Sequence, residues 1–143
     1  MLEYQAHFEP AAEGGFVVTF PDFNWGVTQG ESEQEAREMA ADALELMIAH
    51  MIAAGERLPE PGKRRGRKFR AIRLPALVAA KAELYRAFLK CGLRKSALAQ
   101  RLGIPKTNID RLFDLKHHSR LDQIEAAFRA IGKELDITVH DAA

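Results

Sequence analysis

Residues 95–114 read KSALAQRLGIPKTNIDRLFD. With Lys95 as the first place, Ala99 falls at the fifth, Gly103 at the ninth, Ile109 at the fifteenth and Leu112 at the eighteenth. Each place has a physical demand. The fifth takes a small side chain, because a second helix crosses close above it. The ninth takes a positive φ, which glycine tolerates. The fifteenth and eighteenth, three apart on the second helix, must bury apolar surface against the first. Leu98 and Leu102, spaced i and i+4, complete the inner face of the first helix. Pro105 follows the turn, where a second helix starts and proline is accepted. The stretch therefore predicts a helix-turn-helix. A helical hairpin with a glycine turn is the plainer alternative, but four places filled in register favour nucleic-acid binding.

Charge supports that choice once the chain is divided. The 143 residues carry a formal net charge of only +1. Residues 1–62 hold two basic residues, Arg37 and Arg57, against twelve acidic ones, a net of −10. Residues 63–143 hold nineteen basic against eight acidic residues, a net of +11. A basic half suits a polyanion, DNA first. An acidic half repels DNA and suits a basic protein partner. The single cysteine, Cys91, excludes an internal disulfide and fits a reducing cytoplasm; it reads as a small packing residue at a helix end. There is no signal segment at the start and no apolar run long enough to span a bilayer. The expected location is therefore cytoplasmic.

Working back from the helix-turn-helix, Pro75 opens a helix over about residues 76–91, with Leu77, Leu84, Phe88 and Leu89 as its core. The tract Lys63–Arg73 holds seven basic residues and becomes a strand over Phe69–Leu74. It either touches the DNA backbone or acts as a linker whose charge balances the acidic half; the strand in its second part favours the linker. A helix begins at Glu31 or Ser32, where Ser32 and Glu35 match a capping box. Its predicted apolar face includes Ala36, Met39, Ala40, Leu44, Met47 and Ile48, and Gly55 ends it. Before it come strands at residues 2–8, 16–20 and 26–29, the first an alternation of Leu2, Tyr4, Ala6 and Phe8 with polar residues. Downstream, a helix covers about 121–131, and Leu135, Ile137 and Val139 alternate as a short terminal strand.

The order gives an α+β class: a βββαβ domain over residues 1–74 and a helical helix-turn-helix domain over 75–143, closed by the terminal strand. About seventy residues make a marginal core. The front domain should therefore gain stability from its neighbour, from self-association or from a partner. The terminal strand offers one route to self-association: paired with a second subunit, it would space two recognition helices about 34 Å apart on a palindrome.

Lys106, Thr107, Asn108, Asp110 and Arg111 flank the buried positions of the recognition helix. Arg111 or Lys106 could read guanine, Asn108 adenine, and Asp110 could accept from cytosine or orient Arg111. Lys95, Ser96, Gln100, Lys116 and Arg120 are candidate phosphate contacts. His117 and His118 are adjacent and do not share a helix face, and no second ligand pair lies at metal-binding spacing. Phosphate contact or plain exposure suits them better than metal. His7, His50 and His140 read as solvent-facing.

The stretch Gly15–Phe23 (GFVVTFPDF), then Thr28–Ser32 (TQGES), then Glu35-Ala36 and the acidic helix, resembles the HicB antitoxins. The plan of an α+β domain followed by a helix-turn-helix does too, so the resemblance covers nearly all of the chain. It departs at Asn24-Trp25-Gly26, where many relatives carry a Pro-Gly-Cys-like tripeptide. The resemblance implies a partial ribonuclease-H-like front domain that masks a small basic mRNA-cleaving toxin of the HicA type. It also implies a rear domain that binds the operator of its own operon. Candidate toxin contacts are Glu9, Glu13, Asp22, Phe23 and Trp25. Trp25 reads as a core side chain ahead of an exposed anchor. Glu3, Glu9, Asp22 and Asp42 could supply ribonuclease-H carboxylates, but their spacing is not that of a metal site. The expectation is a non-enzyme without metal or cofactor, acting as a homodimer or higher oligomer. The alternative is a regulator whose front domain senses a small molecule.

Overall fold

A computed structural model describes residues 2–142. The chain runs β1 (Glu3–Pro10), β2 (Phe16–Thr19), β3 (Val27–Gly30), α1 (Glu33–Ala53), β4 (Phe69–Arg73), α2 (Ala76–Cys91), α3 (Lys95–Leu102), α4 (Lys106–Phe113) and α5 (Leu121–Ala130). The strands form one open sheet in the order β3-β2-β1-β4, every neighbouring pair antiparallel. The alternation in β1 sets its faces. Tyr4, Ala6 and Phe8 are buried beneath α1, while Gln5 and His7 lie half-exposed on the open face. His7 sits edge-on to its cross-strand partner Phe69. Ala36, Ala40, Leu44, Met47 and Ile48 give α1 its buried stripe. Met39 does not belong to it: at 41% exposure it lies on the helix flank.

The N-terminus of α1 follows its sequence signature with one shift. Ser32 Oγ accepts from the Glu35 amide at 3.1 Å, and the Glu35 carboxylate accepts from the Glu31 amide at 2.7 Å. The carboxylate thus reaches one residue further back than a capping box requires. Gly30 brings β3 directly under this turn. A Cβ built there would lie 2.4 Å from the Ala36 amide nitrogen, which is backbone and cannot step aside. Gly30→Ala is therefore expected to destabilise the chain by about 1–3 kcal/mol. A thermal melt with an unchanged midpoint would contradict that close approach.

The segment after α1 is stapled from both halves of the chain. Tyr4 Oη of the sheet donates to the Pro59 carbonyl at 2.7 Å, and Tyr85 Oη of α2 donates to the Glu56 carbonyl at 2.6 Å. Leu58 is buried between these two anchors in sequence, and Arg86 reaches Glu60 at 2.6 Å. The buried side chains of the sheet, α1 and the four rear helices form one contiguous cluster. A small front module leaning on its neighbour is what its short length demands.

Two further expectations fail near the C-terminal ends of the tail and of α2. The terminal strand does not form, and residues 133–142 carry no regular structure. Leu135 is half-buried, whereas Ile137 and Val139 stand 57% and 90% exposed. Alternation suits a segment to be a strand, but among the described residues it pairs with no strand in a ladder. Cys91 is exposed rather than packed, its thiol turned back to the Phe88 carbonyl.

Candidate nucleic-acid interface and acidic face

The helix-turn-helix forms in the predicted register. Ala99 is buried where α4 crosses α3, Gly103 takes φ +64°, and Ile109 and Leu112 are buried. Pro105 is the N-cap of α4, one place before the first helical residue. Lys106, Thr107 and Arg111 are exposed and Asn108 is half-buried. Asp110 is also exposed, but it holds Lys95 Nζ at 2.6 Å rather than Arg111. Two candidates from the sequence are thus engaged with each other. Ser96, Gln100 and Lys116 are exposed. Arg120 is the N-cap of α5 and pairs with Asp122 at 2.8 Å. His117 and His118 are exposed, and no group of three or more His, Cys, Asp or Glu side chains among the described residues could hold a metal ion.

What holds the recognition helix in place escaped the sequence reading. Lys81, in the middle of α2, is fully buried. Its Nζ donates to the carbonyls of Arg111 at 2.8 Å and Asp114 at 2.7 Å, and to that of His117. Three carbonyls at the end of α4 and in the following turn therefore share one ammonium, at the negative end of the helix dipole. Burial pushes the Lys81 ammonium down from the ordinary lysine range, and Asp114 pulls it part of the way back. Beside it, Phe113 packs against Tyr85 and Phe88 with ring centroids 5.8 and 5.1 Å away. The available signal was register: Lys81 lies in line with Leu77, Val78, Leu84, Tyr85 and Phe88, the apolar face of α2.

The front half is redrawn by its own basic tract. Lys68 pairs with Glu9 at 2.9 Å, Arg64 with Asp22 at 3.2 Å, Arg70 with Glu33 at 2.8 Å and Arg73 with Glu3 at 2.8 Å. Hydrogen bonds from Lys68 and Arg70 hold the Glu9 and Glu33 carboxyls below the usual carboxylate range. Asp22 also accepts from the Gly62 amide at 3.0 Å. The linker reading of the tract matches these contacts, and Glu9 and Asp22 are occupied within the chain. Phe23 is core: it is 7% exposed and stacks edge-on against Tyr4 and Phe20. It is no surface contact, because the Pro21-Asp22 turn folds it back under the sheet. Trp25 reverses the other way, 48% exposed and resting edge-on against His50 of α1. Glu13 is exposed at the tip of the β1–β2 turn.

Residues 3–83 match the model of a family described as HicB-like antitoxins of bacterial toxin–antitoxin systems. The class of protein is thus an antitoxin. The chain is 37% identical to Antitoxin HicB of Escherichia coli K12 over 96% of this chain and 99% of that one. It is 36% identical to Antitoxin HicB 1 of Photorhabdus laumondii over 96% of this chain and 87% of that one. A toxin–antitoxin complex from Streptococcus pneumoniae aligns with 32% identity and a TM-score of 0.41, over 43% of this chain and 45% of that one. The chain belongs to the HicB-like antitoxin family. No helix among the described residues is long and apolar enough to cross a membrane.

Proposed function

We propose that this chain occludes a small basic mRNA-cleaving toxin of the HicA type and represses its own operon by binding operator DNA. Residues 1–74 carry the first task and residues 75–143 the second, in the cytoplasm. The observation behind this division is where unpaired charge remains. Lys106, Arg111 and Lys116 stand exposed on or just after α4, with their charge free for phosphates and base edges. The front module keeps a separate excess of carboxylates, which DNA would repel. Neutralisation by contact needs no catalytic group in this chain.

Repression at a palindrome requires two copies. The exposed Ile137 and Val139 of the tail, unpaired in one chain, suit strand pairing with a second subunit. The test is a search beside this chain's gene for a reading frame that encodes a small basic protein, followed by its co-expression with this chain. Growth arrest by that protein alone, relieved by this chain, is the expected result. A neighbour that stays toxic in the presence of the folded chain contradicts the reading.

A further inference from the structure

Four of the large apolar side chains left exposed lie around one edge of the front module. Trp25 is 48% exposed, Val27 70%, Met39 41% and Leu46 61%. Met39, Leu46 and His50 are spaced i, i+7 and i+11 on α1, and so lie along one flank of that helix. Trp25 packs on His50 with ring centroids 5.4 Å apart. Val27 begins β3, the edge strand beside α1, whose outer backbone groups pair with nothing in the sheet. A stripe of this kind beside an open strand edge is a surface a soluble chain normally covers.

Charge says what covers it. The basic tract neutralises Glu3, Glu9, Asp22 and Glu33 on the sheet side of the module. It does not reach the rest of α1. Among the described residues, Glu35, Glu38, Asp42 and Glu45 make no salt bridge, and Arg37 is the only lysine or arginine on the helix. Glu35 and Asp42 interleave with Met39 and Leu46 along the flank, and Glu38 and Glu45 border it on the solvent side. The acidity of the front half is therefore concentrated beside the exposed apolar stripe, while Glu9 and Asp22 are paired and Phe23 is buried.

We infer that the α1–β3 edge, with Trp25 and Leu46 at its centre and Asp42 and Glu45 on its rim, is the docking surface for a basic protein partner. This rests on the toxin-binding function proposed above and identifies the surface that performs it. The apolar centre anchors the partner and the carboxylates steer it, an arrangement in which rim charges act mainly on the association rate. A second copy of this chain is the competing occupant.

The test uses the full chain and the purified small basic protein encoded beside its gene, with affinity and association rate measured at low and physiological salt. Trp25→Ala/Leu46→Ala is expected to weaken binding at least 100-fold. Asp42→Lys/Glu45→Lys should slow association at least tenfold at low salt. Glu9→Gln, at a carboxylate already held by Lys68, should change affinity less than twofold. Circular dichroism and thermal melts check that each variant folds. If Trp25→Ala/Leu46→Ala does not fold, the exposed-charge variant alone decides. Wild-type chain that binds the partner while folded variants bind it equally well overturns this surface and leaves the toxin reading intact. Wild-type chain that does not bind the partner overturns the toxin reading itself. Variants that dissociate this chain's own oligomer with partner affinity unchanged assign the edge to a second copy and overturn the inference.

Discussion

Lys81→Met is expected to lower stability by about 3 kcal/mol and to loosen the recognition helix. The substitution keeps most of the side chain's volume and removes its charge. Burying an ammonium has a cost, which the variant relieves. Against that, the carbonyls of Arg111, Asp114 and His117 lose their shared donor. The Asp114 and His117 carbonyls keep backbone donors in the His117 and Ser119 amides, at 3.1 and 3.0 Å, but a hydrogen bond to a charged group contributes about 1.5–3 kcal/mol, so the loss of three outweighs the relief of one charge. Ser119 offers only a long contact, 3.4 Å from the Arg111 carbonyl, and cannot replace it. A thermal melt checks the size, and operator affinity measured well below the melting midpoint checks the positioning. An unchanged midpoint would show that the buried charge contributes nothing.

Arg111→Ala is expected to remove specific operator binding while leaving the fold intact. The side chain is exposed, and its backbone carbonyl still accepts from Lys81 in the variant. Surface substitutions of this kind change stability by less than about 0.5 kcal/mol. In the proposed dimer, a lost bidentate contact from Arg111 to guanine would cost about 1–3 kcal/mol at each of two half-sites. Specific affinity then falls toward the level of non-specific binding. A gel-shift titration with the chain's own promoter fragment reads this directly. Operator affinity equal to wild type would remove Arg111 from the interface.

These two residues illustrate what the sequence could reveal. Ala99, Gly103, Ile109 and Leu112 were legible because their demands are local: a small side chain, a left-handed backbone and two apolar residues one turn apart. The strands and α1 were legible through their periods of 2 and 3.6. Partnerships between distant residues were not. Nothing near Glu9 in the chain shows that Lys68 will neutralise it, and nothing near Asp22 points to Arg64. Glu9 and Asp22 are therefore paired, and Phe23 of the FPD stretch lies in the core. Lys81 was half-legible, since its register placed it on an apolar face but could not name three carbonyls on another helix and turn. The terminal segment alternates apolar and polar residues, yet a strand requires a ladder and among the described residues it pairs with none.

The central claim is that opposite charges in one polypeptide serve separate partners. The most direct measurement is the affinity of the Arg111→Ala chain for the proposed partner, a small basic protein from a neighbouring gene whose toxicity this chain relieves, after its loss of operator binding has been established. Separate surfaces predict an affinity within twofold of wild type. A fall in partner affinity parallel to the loss of DNA binding, in a chain that melts like wild type, would show that one surface serves both.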